Sequence, residues 1–197
     1  GSISGLVDNA GTLAFNRSDS YTFGGQIVGT GAIRQIGNGT TTLTGNSSGF
    51  TGTTTIANGT LAVNGQLGGS ASVQSGGTLT GTGTVGAVSV ANGGILAGTQ
   101  GQTLTTGSLT LASGSSVNVS LGAPGGSGLF QVNGNLTLDG TLNVTDAGGF
   151  GIGVYRVFDY TGSLTDNGMT VGTTPSLPAG TTTTIQTAMA NQVNLVV

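Results

Sequence analysis

The nine residues Val73-Gln74-Ser75-Gly76-Gly77-Thr78-Leu79-Thr80-Gly81 come back as Val90-Ala91-Asn92-Gly93-Gly94-Ile95-Leu96-Ala97-Gly98, 17 positions further on. A looser copy, Ile56-Ala57-Asn58-Gly59-Thr60-Leu61-Ala62, precedes the first by the same step when Ile56 is matched to Val73. Self-similarity at a fixed period marks a chain built by stacking one short unit on itself. Leu111 and Leu138 continue the column at intervals of 21 and 27. Growing intervals are expected when extra residues leave a solenoid as loops while the core strand stays in register. The segment Gly122-Ala123-Pro124-Gly125-Gly126-Ser127-Gly128 reads as the largest of these loops.

Helical periodicity is hard to find, because Gly or Asn interrupts nearly every window of eight residues and each interior Gly costs about 1 kcal/mol against Ala in a helix. Short alternating runs take its place, among them Thr12-Leu13-Ala14-Phe15, Thr60-Leu61-Ala62-Val63, Ser116-Val117-Asn118-Val119 and Thr141-Leu142-Asn143-Val144. Each is bounded by Gly, Asn or Ser, the pattern of strands and turns. Stacked as a parallel β-helix, each run pairs with its equivalents at about 4.8 Å, and alternate Leu, Val and Ile side chains line an enclosed core. The outer faces then carry ladders of Thr, Ser and Asn. Like charges stacked at that spacing would repel, which explains a nearly uncharged sequence.

The composition sets further bounds. In 197 residues there are 41 Gly, three Arg, six Asp and no Lys, Glu, His or Cys, for a net charge of −3. Three cations cannot make a nucleic-acid footprint. A Gly content this high would read as disorder without a period, and here the period is present. No disulfide or thiolate chemistry exists without Cys. No run reaches the roughly 18 apolar residues of a membrane helix, so no membrane insertion is expected. Gly1-Ser2 without an initiator Met is expected of an excised fragment, with any signal or anchor outside it.

Catalysis by a Ser-His-Asp or Cys-His mechanism is excluded by the missing side chains, so the protein reads as not an enzyme. Carboxylate pairs could come only from Asp139 with Asp146 or Asp159 with Asp166, seven apart and without a local motif; turn capping is the plainer role. The stretch Gly125-Gly126-Ser127-Gly128-Leu129-Phe130 has the glycines of a calcium-binding nonapeptide and lacks its Asp. No metal and no cofactor is expected. A flat Thr array of the kind that orders water is broken where Thr78-Leu79-Thr80 gives way to Ile95-Leu96-Ala97.

Five of the nine aromatic residues, Phe130, Phe150, Tyr155, Phe158 and Tyr160, fall within one window of 31 residues. A solenoid has two unpaired ends that would recruit other chains unless covered. An aromatic-rich, less repetitive segment therefore reads as a cap, and those five residues as its folding core. The chain divides on this reading into β-helix coils over 1–106 and a cap over 107–197. Away from the cap, Arg17, Asp19, Tyr21 and Phe23 form the densest charged and aromatic cluster. Arg17, Tyr21 and Phe23 are the candidate ligand contacts; against this, Arg17 paired with Asp19 and both rings packed in a coil is the favoured reading.

The run Gly39-Thr40-Thr41-Thr42-Leu43-Thr44-Gly45-Asn46-Ser47-Ser48-Gly49-Phe50-Thr51-Gly52-Thr53-Thr54-Thr55-Ile56-Ala57-Asn58-Gly59-Thr60-Leu61 resembles the passenger-associated repeat of bacterial autotransporters, the type V secretion family. It departs slightly, with Ser48-Gly49-Phe50 where Thr-Tyr is usual. Gly11 to Gly25 resembles a preceding copy. Gly107 to Thr161, with Leu138-Asp139-Gly140-Thr141-Leu142 and Gly153-Val154-Tyr155-Arg156-Val157-Phe158-Asp159-Tyr160, resembles the autochaperone-like module that closes many passengers. The resemblance implies a right-handed β-helix, monomeric, exported through a C-terminal β-barrel translocator in cis that this sequence does not contain. It implies display on a Gram-negative outer membrane and cell surface, or secretion, and a role in adhesion and virulence toward a host extracellular-matrix or cell-surface ligand. The other reading is a structural stalk and folding module whose binding function lies elsewhere, since a shared fold does not fix a function.

Overall fold

The computed structural model describes residues 3–197; Gly1 and Ser2, on which the fragment reading rests, lie outside the described residues. Short strands wind into a parallel β-solenoid of about seven turns, with no helix among the described residues. The expected fold class is thus found. Each turn contributes strands to three faces. One face holds Thr12–Phe15, Ala32–Gln35, Thr53–Ile56, Leu109–Leu111, Leu136–Leu138 and Leu164–Asp166. A second holds Ser20–Phe23, Thr40–Leu43, Gly59–Val63, Gly77–Thr80, Ile95–Thr99, Ser116–Gly122, Thr141–Gly148 and Thr170–Val171. Two longer strands, Gln66–Val73 and Thr84–Val90, run from the first face around a corner onto the third, which continues through Leu104–Thr106, Phe130–Val132 and Val154–Tyr160.

Register follows the repeat. Ile56 pairs with Val73, Val73 with Val90 and Val90 with Leu111. Upstream the same column runs through Gln35 to Phe15, so two further turns precede those that the repeat reveals. Most inward residues of the column are fully buried. At roughly 25 cal/mol per Å² of apolar area, this continuous aliphatic core is the main favourable term in folding.

Glycine builds the corners. Gly31, Gly52, Gly69, Gly86, Gly107, Gly134 and Gly162 occupy one corner in successive turns, and a Cβ on each from Gly52 onward would meet the backbone of the glycine before it. Gly25, Gly45, Gly65 and Gly83 form a second such column. Past Gly83 that column stops, and there the chain leaves the solenoid as loops over 100–103, 123–129 and 149–153. The lengthening period therefore comes from one edge. Gln100 ties the first two loops together, its Nε2 donating to the carbonyls of Ala123 and Gly125 at 2.8 and 3.1 Å.

Parallel pairing runs through residue 107 without a break: Val85 pairs with Thr106, and Thr106 with Val132. The pairing changes sense only at the C-terminal end, where Gln192–Val196 lies antiparallel on Val154–Tyr160 and Thr184–Gln186 lies antiparallel on it. Val193 and Leu195 are fully buried there. Asn191, at φ 64°, turns the chain and donates from Nδ2 to the Tyr160 carbonyl at 2.8 Å.

Candidate functional site

The cluster at the first turn is organised around an ion pair. Arg17 and Asp19 are two apart on the turn between Thr12–Phe15 and Ser20–Phe23, so their side chains leave on one side of the chain. Arg17 Nε and Nη2 donate to Asp19 Oδ1 and Oδ2 at 2.8 and 2.6 Å, a bidentate fork. The guanidinium carbon stands 5.0 Å from the centre of the Tyr21 ring, a cation–π distance. Tyr21 in turn donates its hydroxyl to the Ile3 carbonyl at 2.8 Å. Phe15 lies 6.3 Å from Tyr21 and 6.2 Å from Phe23, ring centre to ring centre. Phe23 is fully buried. The surface of the cluster is therefore Arg17, Asp19 and the edge of Tyr21, beside a hollow of about 270 Å³ that Ile3, Ala14 and Asn16 also line.

The hydrogen bond from Arg17 holds the Asp19 carboxyl below the usual aspartate range, and the same bond raises Arg17. A carboxyl with a depressed folded pKa adds stability above its unfolded pKa and loses it as pH falls through the folded value. Both groups are exposed, so salt screens the effect. Titration of the Asp19 carboxyl by NMR should find its midpoint below that of a free aspartate, and Arg17→Ala should return it upward. Thermal stability at neutral pH should hardly change.

At the other end of the solenoid Phe130, Tyr155 and Phe158 are fully buried, Tyr160 is buried at 8% exposure and Phe150 is half-buried. Phe130 and Phe158 are register partners in adjacent turns and stack at 5.2 Å. Their fit depends on Gly98, where a Cβ would stand 2.8 Å from Phe130 Cζ. Phe150 stacks on Tyr155 at 5.0 Å, and the Tyr155 hydroxyl both donates to the Gly151 carbonyl, at 2.9 Å, and accepts from its amide, at 2.8 Å.

The aspartates serve turns. Asp146 accepts from the amides of Gly148 and Phe150, and Asp166 from Gly168 and the Thr187 hydroxyl. Asp139 accepts from Gly140, and Asp159 faces Arg156 at 3.6 Å. The largest surface hollow, of about 540 Å³, is floored by a ladder in which Asn143 donates to Asn118 Oδ1 at 3.0 Å, with Ala97 and Gly98 leaving the space open.

Two buried polar residues escape a sequence reading. Gln35 occupies the core column between Phe15 and Ile56, and its Nε2 donates to the carbonyls of Gly37 and Gly39 at 2.9 and 3.4 Å. Ser47 takes the Ile27 amide at 2.9 Å, joining two turns where the third face has no ladder. Neither breaks a visible pattern, since Gln and Ser are common on the solenoid exterior.

The fold and this surface define an uncharged parallel β-solenoid with an ion-paired aromatic cluster at its first turn and stacked aromatics in its last turns. Over 117 aligned residues the chain is 50% identical to the adhesin BmaC autotransporter of Brucella suis biovar 1 (strain 1330), covering 55% of this chain. The chain spans 3% of the length of that curated relative. No family model matches the chain.

Proposed function

We propose that this chain is a non-enzymatic segment of an exported adhesin passenger, displayed at a Gram-negative outer membrane by a translocator in cis. The observation that carries the reading is the uninterrupted parallel stack with a hydroxyl and amide exterior, joined to 50% identity with a protein named as an autotransporter adhesin. Such a stack resists bending because every turn is tied to its neighbours by ladder bonds and by close backbone contact at the corners. It holds a binding surface away from the membrane without needing catalytic groups. Residues 107–197 are proposed to promote folding of the turns before them, and the target is a host matrix or cell-surface ligand.

Purified chain applied to host matrix and cells should bind saturably, and Arg17→Ala with Tyr21→Ala should weaken that binding. Absence of saturable binding would leave the structural stalk as the reading. The mutual engagement of Arg17, Asp19 and Tyr21 favours that alternative, because groups already paired have less to offer a ligand.

A further inference from the structure

Six Asn-Gly steps punctuate the chain, at Asn38, Asn58, Asn64, Asn92, Asn133 and Asn167, and all six asparagines are exposed. Asn-Gly is the dipeptide most open to attack of the following backbone nitrogen on the side-chain amide, since Gly sets no Cβ in the way. The fold treats the six differently. The amides of Gly39, Gly65 and Gly93 donate across the turn to the carbonyls of Arg17, Leu43 and Gly114, at 2.9, 3.0 and 2.8 Å. That of Gly168 is held by Asp166 Oδ1 at 3.1 Å. The side chains of Asn64 and Asn92 are also committed, accepting from the amides of Thr82 and Gly114 at 3.2 and 3.0 Å. Asn133 Oδ1 is turned to Gln131 Nε2 at 3.2 Å. Among the described residues, only at Asn58 does an Asn side chain turn on the amide of its own successor: Gly59 N–H donates to Asn58 Oδ1 at 3.0 Å.

From this contrast we infer that Asn58-Gly59 is a site of spontaneous covalent modification, at which the folded chain converts asparagine to aspartate and isoaspartate. The contact keeps Asn58 Cγ within reach of the Gly59 nitrogen, a proximity effect of the kind that makes intramolecular reactions fast. Hydroxide removes the Gly59 amide proton, the nitrogen bonds to Cγ, and the side-chain nitrogen leaves as ammonia, closing a five-membered succinimide. Water then opens the ring. Attack at one carbonyl gives aspartate, and attack at the other gives an isoaspartyl linkage with one more methylene in the main chain.

The position gives the reaction a structural consequence. Gly59 has φ 63° and packs its Cα against the carbonyls of Gly37 and Gly39, the same carbonyls that receive buried Gln35. A lengthened backbone at this corner separates two turns and exposes the Gln35 level of the core. The modified chain carries one more negative charge and a weakened turn. Asp139-Gly140 repeats the geometry, with Gly140 N–H on Asp139 Oδ1 at 2.8 Å, but an ionised carboxylate is a far poorer electrophile than an amide.

The full chain is held at mildly alkaline pH and physiological temperature, digested at intervals, and all six steps are quantified by peptide mass spectrometry with chromatographic separation of the isoaspartyl form. Asn58 should convert about tenfold faster than Asn64 and Asn92, the factor corresponding to roughly one backbone hydrogen bond. In denaturant the six should converge. Asn58 converting no faster than Asn64 and Asn92 in the folded chain would overturn the inference, as would an unchanged ranking in denaturant. Asn58→Gln, which would have to close a larger ring, should abolish the protease-sensitive fraction that appears between residues 36 and 60 on ageing; its persistence would overturn the structural consequence.

Discussion

Gly86→Ala should destabilise the protein by about 3 kcal/mol or more, the upper end of what overpacking costs and beyond, because the added methyl meets backbone. A Cβ at Gly86 falls on the carbonyl oxygen of Gly69 in the turn below. Side chains can rotate away from a methyl group, but a carbonyl in a parallel ladder cannot. The two turns must separate or the corner must rotate, and either breaks ladder bonds on both adjoining faces. For a chain of this size the loss corresponds to roughly 10 °C in Tm. Gly11→Ala is the control: Gly11 is exposed, with nothing within 4 Å of its Cβ position. There the change should be neutral, or stabilising by about 0.4–1 kcal/mol through the unfolded state. Equal denaturant midpoints for the two variants would show that the corners yield and that the glycine column does not fix the spacing of the turns.

That contrast bears on what the sequence can reveal. The column Ile56, Val73, Val90, Leu111 could be read from alternation and spacing alone, because burial on one face demands a period of two within each strand and a fixed return between turns. Gln35 hides the next level up, since a polar residue at a core position erases the signal that marks it. Individual glycines announce turns, but only register shows that Gly52, Gly69 and Gly86 stand one above another. The tail ending Val193-Asn194-Leu195 reads as an alternating strand; alternation encodes which face is buried and not which strand lies alongside, so its antiparallel seat on Val154–Tyr160 was invisible. At the first turn the Arg17–Asp19 pair was legible because the two residues are close in sequence. The Tyr21 contact with Ile3 joins residues 18 apart, and no local pattern signals it.

Phe158→Ala is expected to cost about 3–5 kcal/mol, the range for emptying a fully buried aromatic site. The ring stacks on Phe130, which itself fills the space that Gly98 leaves, so one truncation loosens three consecutive turns. Phe150→Ala should cost less, since that ring is half-buried. If residues 107–197 template the turns before them, the loss must appear in a particular rate. Parallel pairing between turns closes loops of 17 residues or more for each new ladder, which makes nucleation slow. A nucleus at the aromatic turns would already contain the Phe130–Phe158 contact, so Phe158→Ala would lower the folding rate and leave unfolding nearly unchanged. An effect of about 4 kcal/mol then becomes roughly a thousandfold slower folding; Phe158→Leu offers a milder version if the alanine variant fails to fold. Deleting residues 107–161 should likewise leave residues 3–98 open to proteolysis. A faster unfolding rate with unchanged folding, or a truncated chain as resistant as the intact one, would make the aromatic turns a late-forming lid. The solenoid would then grow from its aliphatic repeat, where the shortest period makes each successive loop cheapest to close.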